Sequence, residues 1–449
     1  MTQALWIKNP LAILADNAEG GIVVKDDRIV ETVRRGKQPV YTGGMDVVDA
    51  SEHVVLPGLI NTHHHFYQTL TRACPPALNK ELFPWLKALY PIWAGLTPEH
   101  IALASRVAMA ELLLSGCTTA SDHHYLFPAS LTNGIDIQVE EAARLGLRVT
   151  LTRGSMSLGE EDGGLPPQTT VQDDDTILTD SARLIDRYHD AREGAMVQIA
   201  LAPCSPFSVT PDLMRASADL ARSKGVRLHT HLSETEDENE FCQQVFGMRP
   251  VDYLESVDWM ADDVWLAHGI YFTEQEITRL GRAGVGICHC PSSNMVLASG
   301  IAATLDLEAA GAPVGLGVDG SASNDGSNLI QEIRQALMIG RLKYGASRVT
   351  HWDALRWATE GSARCLGRDD IGTIQADKQA DLAMFKLDEL RFSGAGDPLA
   401  ALLLCGAHRA DRVMVGGQWR VIDGEIPGLD LTELQQQHSK KAADLIKGV

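Results

Sequence analysis

The sequence predicts a (β/α)8 barrel with a small β-sandwich domain folded beside it from both chain ends. Three observations carry that expectation. Apolar strand-like runs alternate with helix-length amphipathic segments eight times between about residues 58 and 372. Short β-branched runs broken by turn residues occupy the two ends. The length of 449 residues exceeds a barrel of roughly 250 residues by enough for one accessory domain.

In order, residues 4–55 read as short strands: "ALWIKN", then "GGIVVKDDRIVETV", where Asp26-Asp27 turns a hairpin, then "MDVVDASEHVVLPG". Near the other end, "GTIQADKQADLAMFKLD" and "ADRVMVGGQWRVIDGEI" have the same character, with Gly416-Gly417 at a hairpin turn. Residues 1–57 and 373–430 are therefore expected to pair into one composite sandwich, enclosing a barrel over 58–372. Its eight strands are read at "GLINTHHH", "CTTASDHH", "RVTLTRGS", "VQIALAPC", "VRLHTHLS", "VWLAHGI", "GICHCPS" and "VGLGVDGS". A helix from Pro98 to Ser115 has Thr97 as its N-cap and Gly116 just past its end. Residues 431–449 read as a C-terminal helix.

Composition narrows the function. A hydrophobic fraction of 45% with 22% charged residues is that of an ordinary globular chain. A formal charge of −20 argues against nucleic acid, since phosphate binding needs a basic surface. No secretory signal pattern opens the chain, and no apolar run approaches the ~18 residues of a membrane span. A cytoplasmic protein with a small-molecule partner is expected, with a homo-oligomer as an allowed assembly. The eight cysteines lack the spacing of a disulfide framework and are expected as thiols. Cys288 and Cys290 match no standard zinc spacing.

The chemistry gathers at the strand ends. Residues two apart on a strand share a face, so His63 and His65 point together into the barrel while His64 points away. In "RLHTHLSETED", His229 and His231 share a face, and Glu234 follows where the strand turns into its loop. His231, nearer the strand's end, is the expected ligand, while His229 reads as a buried, hydrogen-bonded histidine one layer deeper. His268 ends the sixth strand and Asp319 the eighth, with Gly315, Gly317 and Gly320 allowing close approach. Three neutral imidazoles and a carboxylate make an N3O site suited to Zn2+, with Fe2+ as second choice. Such an ion lowers the pKa of water toward neutrality and supplies a nucleophile. Asp319 is placed to take that water's proton, Glu234 to ferry protons to the substrate, and His268 to orient the nucleophile.

His63-x-His65 after "PGLINT", "HLSE" from His231 to Glu234, "AHG" with His268 and "GVDGSASN" with Asp319 resemble the amidohydrolase superfamily, in its single-metal deaminase branch. The resemblance covers essentially the whole chain. It implies one divalent metal held by His63, His65, His231 and Asp319, with catalytic roles for Glu234, His268 and Asp319. Two-metal members carry a bridging lysine on the fourth strand; "VQIALAPCSPFS" has none, which favours one metal.

Other residues keep two readings. Gln68 and Arg72 reach the substrate or pack the loop. Arg153 holds a ring carbonyl or nitrogen, or closes a structural ion pair. Trp85 covers a flat ring or packs the core. His123 and His124 contact substrate or support the ligands. The stretches "NTHHHFYQTLTRACP", "ELFPWLKALYPIWAGLTPE" and "GVDGSASNDGSNL" look like the subgroup that deaminates 8-oxoguanine and isoxanthopterin. That resemblance implies hydrolysis of 8-oxoguanine to urate and ammonia. The alternatives are another pterin or purine deaminase, a hydroxy-s-triazine aminohydrolase or chlorohydrolase and, from a different class, a barrel that binds without catalysis.

Overall fold

The computed structural model describes residues 4–447, so residues 1–3 of the expected sandwich and 448–449 of the expected C-terminal helix lie outside the described residues. Eight parallel strands form the barrel: β1 (Leu59–Asn61), β2 (Cys117–His124), β3 (Arg148–Ser155), β4 (Val197–Pro203), β5 (Leu228–Leu232), β6 (Val264–His268), β7 (Gly286–His289) and β8 (Val314–Leu316). They pair in sequence order, and Thr62 N–H donates to Leu316 O at 2.9 Å to bring β8 back to β1. All eight residues of β2 and of β3 are buried, as strands covered on both faces must be.

β1 and β8 are shorter than the sequence suggests. His63, His65 and Asp319 lie just past them, on segments that leave the regular ladder yet stay tied across it. Asp319 N–H donates to His63 O at 3.1 Å and His123 N–H to His64 O at 2.7 Å.

The chain ends build two sheets. One runs in the order Arg28–Val33, Gly21–Lys25, Ala4–Lys8, Met45–Asp49. The other places Leu382–Lys386 antiparallel to His53–Pro57, so residues more than 300 apart in sequence share a ladder. The hairpin turns fall at Asp26 (φ +55°) and at Gly416-Gly417 (φ +53° and +73°), the positive values that this turn chemistry supplies. The helix Pro98–Leu114 starts after Thr97, as its capping residues dictate. The C-terminal helix Leu431–Lys447 packs on it and on the 3-10 helix Phe66–Thr71, with His438 Nε2 3.0 Å from Thr69 Oγ1.

A buried ion pair joins barrel and sheet. Arg148, at the start of β3, meets both carboxylate oxygens of Asp381 at 3.1 Å and donates to the carbonyls of Gly194 and Ala195 at 2.7 Å. Asp381 in turn accepts from Gly416 N–H at 2.7 Å. Removing one partner leaves a buried charge uncompensated. Arg148→Met is expected to lower the unfolding free energy by about 3–5 kcal/mol in urea denaturation. Arg222→Ala, which breaks a partly exposed pair with Asp263, should change it by less than about 1 kcal/mol.

Candidate active site

Proton placement at the barrel's C-terminal lip follows from the hydrogen bonds. His65 Nδ1 lies 2.7 Å from His123 O and His231 Nδ1 2.7 Å from Cys204 O, so each ring carries its proton on Nδ1. His229 Nδ1 faces Trp265 O at 2.8 Å, which leaves its Nε2 to accept from His63 Nδ1 at 2.8 Å. All three rings, His63, His65 and His231, therefore turn a bare Nε2 lone pair toward the cavity. His65 and His231 bring these atoms within 3.2 Å, and His63 Nε2 is buried with no hydrogen-bond partner. Asp319 Oδ1 stands 3.3 Å from Nε2 of both His63 and His65.

Four acceptors pressed together with no proton among them repel unless a cation lies between them. A tetrahedral ion with bonds of about 2.0–2.1 Å spaces its donors by about 3.3–3.4 Å, close to the His65–His231, His63–Asp319 and His65–Asp319 separations of 3.2, 3.3 and 3.3 Å. The donor set thus fits a divalent metal. Burial keeps the imidazoles neutral: it pushes His65 down to about 3 and holds His63 below, and His231 well below, the usual histidine range.

Beside these donors sit Glu234 and His268. Burial, with Asp319 adding to it and His268 opposing, pushes the Glu234 carboxyl up to about 7. His268 Nε2 lies 3.5 Å from Glu234 Oε2 and 3.7 Å from Asp319 Oδ2. Burial alone would lower His268; these carboxylates raise it instead. Ser233, His268 and Asp319 all have positive φ (+54°, +72° and +63°), strain that concentrates at the lip where function is placed.

The cavity above is walled by Leu82, Trp85, Leu86, Tyr90, Tyr125 and Phe207, with Gln68, Glu234, His268 and Ser323 among its polar groups. It suits a flat, partly polar ring.

A model of the amidohydrolase family matches residues 54–420. The chain belongs to that family. It is 66% identical over 446 residues to 8-oxoguanine deaminase of Pseudomonas aeruginosa, covering 99% of each protein. It is 34% identical to isoxanthopterin deaminase from an unknown prokaryotic organism, covering 90% of this chain and 88% of that one. Among solved structures, atrazine chlorohydrolase from Arthrobacter aurescens TC1 complexed with zinc superposes with a TM-score of 0.90 at 32% identity, over 98% of this chain and 100% of that one.

Within this amidohydrolase the residues singled out from sequence divide. His63, His65, His231, Glu234, His268 and Asp319 converge, and Gln68 and Trp85 line the cavity. Gln68 Oε1 accepts from Ala322 N–H at 3.3 Å and Trp85 Nε1–H donates to Ala322 O at 3.2 Å, so the two side chains clamp one residue of the loop after Asp319 from both sides. Gly320 is required there, because a Cβ would fall 1.9 Å from Gln68 Oε1.

Arg153 is different. It points out of the barrel, pairing with Asp180 at 2.8 Å and Gln172 at 2.8 Å over the Phe127 ring, so the ion-pair reading describes it and the ring-holding one does not. Arg72 likewise pairs with Glu111, away from the cavity lining. His123 stacks on His231 and His124 lies against the Tyr67 and Phe127 rings. Every cysteine is a free thiol, and none joins a metal-competent group among the described residues.

Sequence reasoning passed over Glu238, which accepts from Ser233 N–H at 2.8 Å and Glu234 N–H at 3.1 Å and so fixes the turn that carries Glu234. Nothing in "SETEDENE" separates it from its acidic neighbours. Glu238→Ala leaves two buried N–H groups without acceptors, and urea denaturation should show a loss of about 2–4 kcal/mol.

Proposed function

We propose that this amidohydrolase is a hydrolytic deaminase that converts 8-oxoguanine and water to urate and ammonia. The observation that carries this reading is the placement of the Glu234 carboxyl, buried and protonated near neutrality, on the same ring-shaped cavity as the converging donors of His63, His65, His231 and Asp319. The relative sharing two thirds of its residues supports the substrate.

Those four donors would hold one divalent ion, zinc first and iron(II) second. When bound, such an ion supplies a water of lowered pKa as nucleophile at neutral pH. Asp319 accepts one proton of that water, and His268 Nε2 holds its direction. Glu234 donates its proton to the ring nitrogen N3, which makes the guanidine-like C2 electrophilic. As the new C2–O bond forms and the C2–N bond breaks, the proton on Asp319 leaves with the amine as ammonia. The remaining hydroxyl proton returns to Glu234. Trp85 covers the flat bicycle and Gln68, its oxygen tied to Ala322, turns its Nε2–H donors to a ring carbonyl.

The purified protein should hold about one divalent metal per chain by elemental analysis, and His231→Ala should lose metal and activity together. Full metal occupancy in that variant would remove His231 from the ligand set. Glu234→Gln should keep its metal and slow turnover on the order of 10²-fold or more; unchanged turnover would eliminate the proton-ferry role.

Substrate choice is read from kcat/KM for 8-oxoguanine, isoxanthopterin, guanine, cytosine, adenosine and a hydroxylated s-triazine. 8-Oxoguanine is expected to lead and guanine to be poorer, because a site built for the extra carbonyl leaves buried donors unpaired when it is missing. A triazine or cytosine ahead by more than about tenfold, roughly 1.4 kcal/mol of transition-state binding, would overturn the substrate while leaving the hydrolytic site standing.

A further inference from the structure

We propose that Asn294 is the positioning residue of His268: its carboxamide oxygen accepts from Nδ1–H, fixes that tautomer and so turns a bare Nε2 toward the cavity to hold the nucleophile's direction. Asn294 lies in the short helix Pro291–Val296 that follows β7, and its Oδ1 is 3.0 Å from His268 Nδ1. A carboxamide oxygen only accepts, so the facing ring nitrogen carries hydrogen in both the neutral and the charged form of the ring. The nitrogen left to the cavity is then Nε2, which faces Glu234 Oε2 and Asp319 Oδ2. Asn294 is 1% exposed and does not line the cavity, so it acts through His268 and not on the substrate.

The surroundings hold the main chain of Asn294, and the side chain's one hydrogen bond is the one to His268, its Nδ2 being buried without a partner. The residue's backbone oxygen accepts from Ser299 N–H at 2.8 Å and its N–H donates to Cys290 O at 3.0 Å. The start of the segment is pinned by Glu332, which accepts from Ser292 N–H at 2.8 Å, and by Ser293 Oγ–H, which donates to Ser323 Oγ at 2.8 Å. His268 itself sits at φ +72°, a strained backbone state of the kind found at functional sites. Leucine at 294 keeps the asparagine's branching and heavy-atom count and removes the acceptor; aspartate keeps it.

The proposal rests on the assignment of His268 to the reaction, and the experiment separates the two. Zinc-loaded protein labelled with 15N-histidine is compared as wild type, Asn294→Leu and Asn294→Asp, with His268→Gln identifying the His268 resonances. The wild type and Asn294→Asp should show a protonated Nδ1 at His268. In Asn294→Leu that signature should be lost, while urea denaturation shows the variant folded and elemental analysis shows its metal retained. In 8-oxoguanine turnover, Asn294→Leu should lower kcat by about 10- to 100-fold with KM changed less than about twofold, and Asn294→Asp should recover most of it. If leucine does not fold, Asn294→Ala carries the same comparison. An unchanged Nδ1 signal in the leucine or alanine variant overturns the proposal whatever the substrate proves to be. An aspartate variant as slow as leucine also overturns it, whereas a wild type inactive on 8-oxoguanine with the expected spectra overturns only the substrate.

Discussion

Two imidazole nitrogens that both lack a proton, His65 Nε2 and His231 Nε2, stand 3.2 Å apart at the buried floor of the cavity. Each is deprived of its proton by a backbone carbonyl on the far side of the ring, His123 O for one and Cys204 O for the other. Much of the active end of the barrel serves that arrangement. β2 supplies the first carbonyl and the residue after β4 the second, while His229 on β5, held by Trp265 O on β6, orients His63 on the segment after β1. A closed parallel barrel is suited to this because neighbouring strand ends present carbonyls and side chains in a ring of fixed spacing.

Burial makes the same groups chemically useful in opposite ways. It strips charge from the imidazoles, so they donate lone pairs, and it raises the Glu234 carboxyl to about 7, so an acid is available near neutrality. The turn bearing Glu234 is secured by Glu238, and His268 at the end of β6 by Asn294, so each of these side chains is backed by a buried polar group outside the cavity lining.

The barrel and the pairing of the two chain ends were legible because strand–helix alternation and paired turn residues are local signals. The converging histidines were legible for a related reason: strand alternation and position along the strand are enough to set His63 with His65 and to place His231 above His229. What escaped depends on single contacts that no local pattern marks. Arg153 looks like a substrate ligand until Asp180, on a helix that follows, takes its guanidinium. Asn294 sits in "CHCPSSN", where the thiols draw attention and nothing marks the amide as facing β6. Glu238 is one of several acids in a row, distinguished only by the two N–H groups beneath it.

The account turns on a lone divalent ion held by three imidazoles and one carboxylate, and X-ray absorption at the zinc edge of the zinc-loaded protein tests it most directly. It predicts a first shell of nitrogen and oxygen only, at about 2.0–2.1 Å, with outer-shell scattering from three imidazole rings. A sulfur shell near 2.3 Å, drawn from the buried thiols, or scattering from fewer than three rings would contradict it.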